Sequence, residues 1–99
     1  MLTIEERNAI YKIAIEQWGP IAQKVKAIEE MAELIQALCK DFFGKLDLLN
    51  AVEETADVEI MMEQLRIMFG DKAIDDAKQF KIERLAAMLA GFELEDKSK

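Results

Sequence analysis

Strong backbone breakers occur at only four places in this chain: Gly19-Pro20, Gly44, Gly70 and Gly91. Between them, apolar residues recur at three- and four-residue intervals, and no useful length alternates with period two. Glycine ends helices and proline opens them, so the breakers cut the chain into four helical segments. Thr3 with Glu6 forms a capping-box pattern that opens the first, which is expected to run to about Gln17. Pro20 opens the second, to about Phe43, along an apolar stripe of Ile21, Val25, Ile28, Ala32, Ile35, Cys39 and Phe42. The third is expected from about Leu46 to Phe69, and the fourth from about Ile74 to Leu89. The fold class is all-α: an antiparallel bundle of about four helices in one domain over residues 1–92. A charged tail, 93–99, is expected to fray.

Size and charge narrow the function. A chain of 99 residues buries only about two-thirds of its unfolded surface, so a homodimer or homotetramer is the natural way to extend the core. The third helix is apolar almost all round over its C-terminal half, which points the same way. Net charge is −7, and no Lys/Arg stripe interleaves with aromatics. Direct nucleic-acid binding is therefore not expected. The single Cys39 can form no intrachain disulfide, and MLTIEER has neither the basic flank nor the apolar run of a signal peptide. No apolar stretch approaches the roughly 20 residues of a membrane span. A soluble, reduced, cytoplasmic protein is the expectation. Histidine is absent, which excludes His-dependent acid/base chemistry, His-containing zinc sites and the Glu-x-x-His ligation of di-iron bundles.

Acids are placed where this framework gives them no obvious purpose. In the third segment Val58, Met61, Leu65 and Met68 share one face, and stepping back along it by threes and fours reaches Asp57 and Glu54. Those two acids continue an apolar stripe. Glu59, Glu63 and Arg66 cluster on another side, in the pattern of a solvated face. The second segment carries EEMAEL, in which Glu30 lies at the edge of the apolar arc near Ala37. Glu29 and Glu33 point further toward Lys26, Gln36 and Lys40, and Lys26 with Glu30 also reads as an ordinary i,i+4 surface pair. If the two helices pack antiparallel, Glu30, Glu33, Glu54 and Asp57 can converge. Four unpaired carboxylates repel and resist desolvation, so a cation belongs between them. All-oxygen ligation selects a hard ion, Mg²⁺ or Mn²⁺, which commonly bridges to phosphates.

These same residues carry a family resemblance. EEMAE (29–33) and EETAD (53–57) resemble the E-x-x-E, then E-x-x-D signature of the MazG-like all-α nucleoside triphosphate pyrophosphohydrolases. The similarity covers roughly residues 10–90. WGPIAQKVKAIEEMAELIQALCK looks like that family's second helix with its preceding turn, and VEETADVEIMMEQL like its third. The resemblance implies Mg²⁺-dependent hydrolysis of a nucleoside triphosphate to the monophosphate and pyrophosphate, by an oligomer of helical subunits. It makes Glu30, Glu33, Glu54 and Asp57 the metal ligands, with Glu29 and Glu53 as acids acting behind them. Glu33 or Glu30 would take the proton of the attacking water, no motif fixing which. The family's basic residues from the last helix, in an N-x-K pattern followed by Arg, correspond to Lys81 and Arg84 in QFKIER, where Gln79 replaces the usual Asn, and the resemblance implies that these two bind substrate by holding triphosphate oxygens in their own subunit or a neighbour's. The other reading of these two cations is a solvated helix face with Lys78 and Glu83.

Trp18 has two readings: stacking on a base at the mouth of a site, or sealing the end of the bundle, the commoner role of a Trp beside Gly-Pro. Met31, Met61, Met62 and Met68 read as core filler, and Cys39 as a small buried hydrophobe. Against the hydrolase stands one competing class, a helical interaction module that keeps the fold while its acids serve as surface.

Overall fold

The computed structural model describes residues 1–90. The tail expected to fray lies outside them. Among the described residues there are four α-helices and no strand: α1 Ile4–Trp18, α2 Pro20–Cys39, α3 Leu48–Phe69 and α4 Asp71–Leu89, with one 3-10 turn, Lys40–Phe43, prolonging α2. None of these helices is long and apolar enough to cross a membrane. Met1 to Met68 forms one compact unit, and the chain from Phe69 onward a second.

Local chemistry sets the helix ends. The Thr3 hydroxyl accepts from the Glu6 amide at 3.0 Å, and Glu6 Oε1 accepts from the Thr3 amide at 2.9 Å, so the capping box is complete. Two orphan donors of the first turn are satisfied reciprocally. Gly19, at φ 91°, is the only residue between α1 and α2. That backbone region strains any residue with a Cβ, which is why a one-residue junction needs glycine there. Gly70, at φ 109°, makes the same abrupt junction before α4. As a result α4 begins at Asp71, a turn earlier than the apolar spacing suggests. Asp47, whose Oδ1 accepts from the Asn50 amide at 3.1 Å, caps the start of α3.

In the first unit, α2 and α3 run antiparallel: Gln23 meets Gln64, and further along α2 Glu30 meets Glu54. The buried residues are Tyr11, Gln23, Ala27, Glu30, Ala37, Met61 and Gln64. Here the structure corrects the sequence reading. Every member of the α2 stripe, Ile21, Val25, Ile28, Ala32, Ile35, Cys39 and Phe42, is exposed in the single chain. The face turned toward α3 is instead the one carrying Gln23, Ala27 and Glu30. Cys39 is accordingly an exposed thiol and not a core residue. The α3 stripe does turn inward: Met61 is buried, while Val58, Leu65 and Met68 are half-buried. Of the remaining methionines, Met31 is half-buried and Met62 exposed.

A second correction concerns Glu63. It is half-buried, accepts a hydrogen bond from the Tyr11 hydroxyl, and stands 3.5 Å from Arg7 Nη1. Burial of the phenol, followed by its bond to the Glu63 carboxylate, pushes the Tyr11 pKa up to about 12. Glu63 thus ties α1 to α3, a role that spacing within α3 could not reveal. Glu59 is exposed as expected.

The second unit consists, over its described residues, essentially of α4. None of the α4 residues is buried, and Lys72 pairs with Asp76 at 2.8 Å on the solvated side.

Candidate metal and nucleotide site

The site is built where the antiparallel contact between α2 and α3 brings carboxylates together. Glu30, Glu33 and Glu54 each offer an oxygen, and these oxygens all lie within 4.8 Å of one another. The helical repeat places Glu30 and Glu33 on neighbouring positions of one side of α2, and the facing turn of α3 supplies Glu54. Glu30 is 7% exposed, Glu54 half-buried and Glu33 exposed at the rim. The trio therefore grades from interior to solvent.

Its electrostatics are unresolved by the protein itself. Lys26 Nζ stands 3.0 Å from Glu30 Oε1. That hydrogen bond, together with the field of Glu30, Glu29 and Glu33, raises the Lys26 pKa. One exposed lysine meets one oxygen of a three-carboxylate group. Glu30 Oε2 and Glu54 Oε2 are buried and have no hydrogen-bond partner. Burial raises the Glu54 pKa above the ordinary 4.5, and a hydrogen bond with Glu33 and the negative fields of Glu33, Asp57 and Glu30 add to the rise. Buried acceptors left without a donor are costly. Two such acceptors on members of a three-carboxylate cluster match the donor set of a hard divalent cation.

Asp57 is exposed and stands outside the convergent trio, close enough to Glu54 for its charge to act there. Glu29 is exposed and lines a cavity described below, and Glu53 is exposed on α3. Lys81 and Arg84 are exposed on α4, in the second unit. Lys81 borders a shallow groove there with Ile74, Lys78 and Leu85.

A cavity of about 510 Å³ is bordered by Trp18, Gln23, Lys26, Glu29, Met61 and Gln64, and Lys26 of its wall contacts Glu30. Trp18 is 59% exposed, so it lies at the rim and does not seal the end of a core. Gln23 and Gln64 carried no signal in the sequence: a glutamine at an inward helical position is indistinguishable from a surface one until its partner, 41 residues away, is known.

Comparison with family models, with curated proteins and with solved structures returned no match. The likeness to MazG-like enzymes rests on the two carboxylate motifs.

Proposed function

We propose that this protein is a divalent-cation-dependent nucleoside triphosphate pyrophosphohydrolase of MazG-like type, releasing the nucleoside monophosphate and pyrophosphate. The observation that supports the reading is the convergence of Glu30, Glu33 and Glu54, which grade from buried to exposed, with two buried oxygens, on Glu30 and Glu54, that have no hydrogen-bond partner. Chain stability gives no reason for such a group. Glu30, Glu33 and Glu54 would hold Mg²⁺ or Mn²⁺, with Asp57 completing the ligand set from the solvent side. Bound there, the cation supplies charge neutralisation at phosphate oxygens and an acidified water. Glu30 fixes the interior end of the group through its bond to Lys26. In this reading Glu33, which is exposed at the rim, accepts the proton of a water arriving from solvent.

The same reading includes a homo-oligomer. The α2 stripe from Ile21 to Phe42 is a long apolar face that the single chain leaves exposed, and monomers rarely carry extended apolar patches. A second copy covers it in this proposal. Sedimentation of the wild type as an 11.3 kDa monomer would refute the assembly.

The deciding experiment incubates the purified protein with Mg²⁺ and a panel of canonical and modified nucleoside triphosphates, measuring pyrophosphate and monophosphate. Release is expected from the wild type and not from Glu54→Gln. No release from any substrate, or equal release from the variant, overturns the hydrolase reading.

A further inference from the structure

Gln23 and Gln64 are 6% and 5% exposed, and the Gln23 amide nitrogen donates to Gln64 Oε1 at 2.7 Å. Two facing glutamines inside a helical unit are an unusual choice for stability, because a pair of apolar residues of the same shape does as well without polar groups to satisfy. The pair is also incompletely used. The nearest partner of the Gln64 amide nitrogen is the Met61 thioether at 3.8 Å, a weak acceptor. Both glutamines border the cavity of about 510 Å³, whose volume falls within the range of small-molecule sites.

The rest of the lining adds two surfaces to this polar floor. Trp18 offers a large aromatic face at the mouth, and the Met61 side chain an apolar one inside. A ring that stacks and also carries adjacent donor and acceptor groups on its edge fits such a lining; this is the description of a nucleobase. Lys26 and Glu29 belong to the same wall, and Lys26 contacts Glu30 at 3.0 Å. Lys26 thus belongs both to the cavity wall and to the contact with Glu30, and is the link between the cavity and the carboxylate trio.

We infer that this cavity is the nucleobase seat, with the ring stacked on Trp18 and its polar edge hydrogen-bonded by the Gln23–Gln64 amide pair. The inference rests on the nucleotide reading above and assigns its base-recognising residues.

Trp18 is the chain's single tryptophan, so its fluorescence reports directly on the mouth of the cavity. The test titrates the protein, in chelator, with adenosine, cytidine and uridine, and with ribose as control. Saturable quenching by the nucleosides and none by ribose is expected. Quenching by none of them, or equally by ribose, overturns the inference. The double variant Gln23→Met, Gln64→Met keeps volume and removes both amides together, and should bind nucleosides about tenfold more weakly, the equivalent of one lost hydrogen bond. Should that variant not fold, Trp18→Ala at the exposed rim serves instead, with binding read by calorimetry and a loss of at least about tenfold expected. Unchanged affinity in the folded variant overturns the assignment. These titrations contain no metal and involve no turnover. Nucleoside binding without pyrophosphate release would remove the hydrolase reading and leave the base seat standing. Pyrophosphate release with an unchanged KM in the double variant would remove the base seat alone.

Discussion

Glu30→Gln should make the metal-free protein more stable. In the wild type the Glu30 carboxylate is 7% exposed, one oxygen meets Lys26 at 3.0 Å, and the other has no partner. A buried, unsatisfied polar atom costs about 1–3 kcal/mol, and two further carboxylate oxygens within 4.8 Å add repulsion. Glutamine keeps the shape and the oxygen that faces Lys26, while its NH₂ group converts the orphan acceptor into a donor toward Glu33 or Glu54. What is lost is the charge in a pair whose lysine is exposed, and such pairs contribute little. The balance favours the variant by about 1–2 kcal/mol, or roughly 4–16 °C in Tm for a domain of this size. The assay is urea and thermal unfolding followed by circular dichroism, at fixed protein concentration, in chelator and in Mg²⁺. Saturating cation should reverse the order, since binding at 100 times Kd stabilises the wild type by about 2.7 kcal/mol and the variant lacks a ligand. A Glu30→Gln protein less stable than the wild type in chelator would mean that Glu30 is a structural ion-pair partner, and the reasoning from its orphan oxygen would fail.

Tyr11→Phe removes the phenol that donates to the half-buried Glu63 and should destabilise the fold by about 1–2 kcal/mol in urea unfolding, leaving the Mg²⁺-dependent rise in Tm unchanged; a neutral effect would refute the tie between α1 and α3. The raised Glu54 pKa fixes the sign of a pH effect. The folded state holds that proton more tightly than the unfolded chain, so its stabilisation is complete below the ordinary 4.5 and is lost as pH rises through the raised folded value. In chelator, Glu54→Gln should therefore exceed the wild type most at neutral pH, with the gap narrowing on acidification; a pH-independent gap would contradict the shift.

The parts of this structure that follow from neighbouring residues were readable in advance. Thr3 and Glu6, Gly19-Pro20 and Gly70 fix helix ends through backbone chemistry that involves no distant partner, and the four segments follow from them. The register of Glu54 on the Val58–Met61–Leu65–Met68 face was likewise legible, because a helical repeat is a local property. What failed was the orientation of α2. An apolar stripe states that a face will be covered, but it does not say whether this chain or another covers it. With the stripe from Ile21 to Phe42 outside, the inward side of α2 falls to Gln23, Ala27 and Glu30. Glu63 was misread for a related reason: Glu59, Glu63 and Arg66 form a surface pattern by spacing, and the Tyr11 hydroxyl that claims Glu63 lies 52 residues away.

The orientation of α2 also bears on the choice between a hydrolase and an interaction module. A protein partner needs an outer face, and the α2 stripe provides an apolar one without using a single carboxylate of the trio. Glu30 and Glu54, by contrast, each keep a buried oxygen without a hydrogen-bond partner, which another protein's surface cannot reach as it can an exposed face. An interaction module would lose nothing by filling these positions with leucine or methionine, and by the cost of its orphan oxygens would gain stability. Charge on the inner face of α2, set against an apolar outer stripe, is what the proposed hydrolase requires and what an interaction module does not.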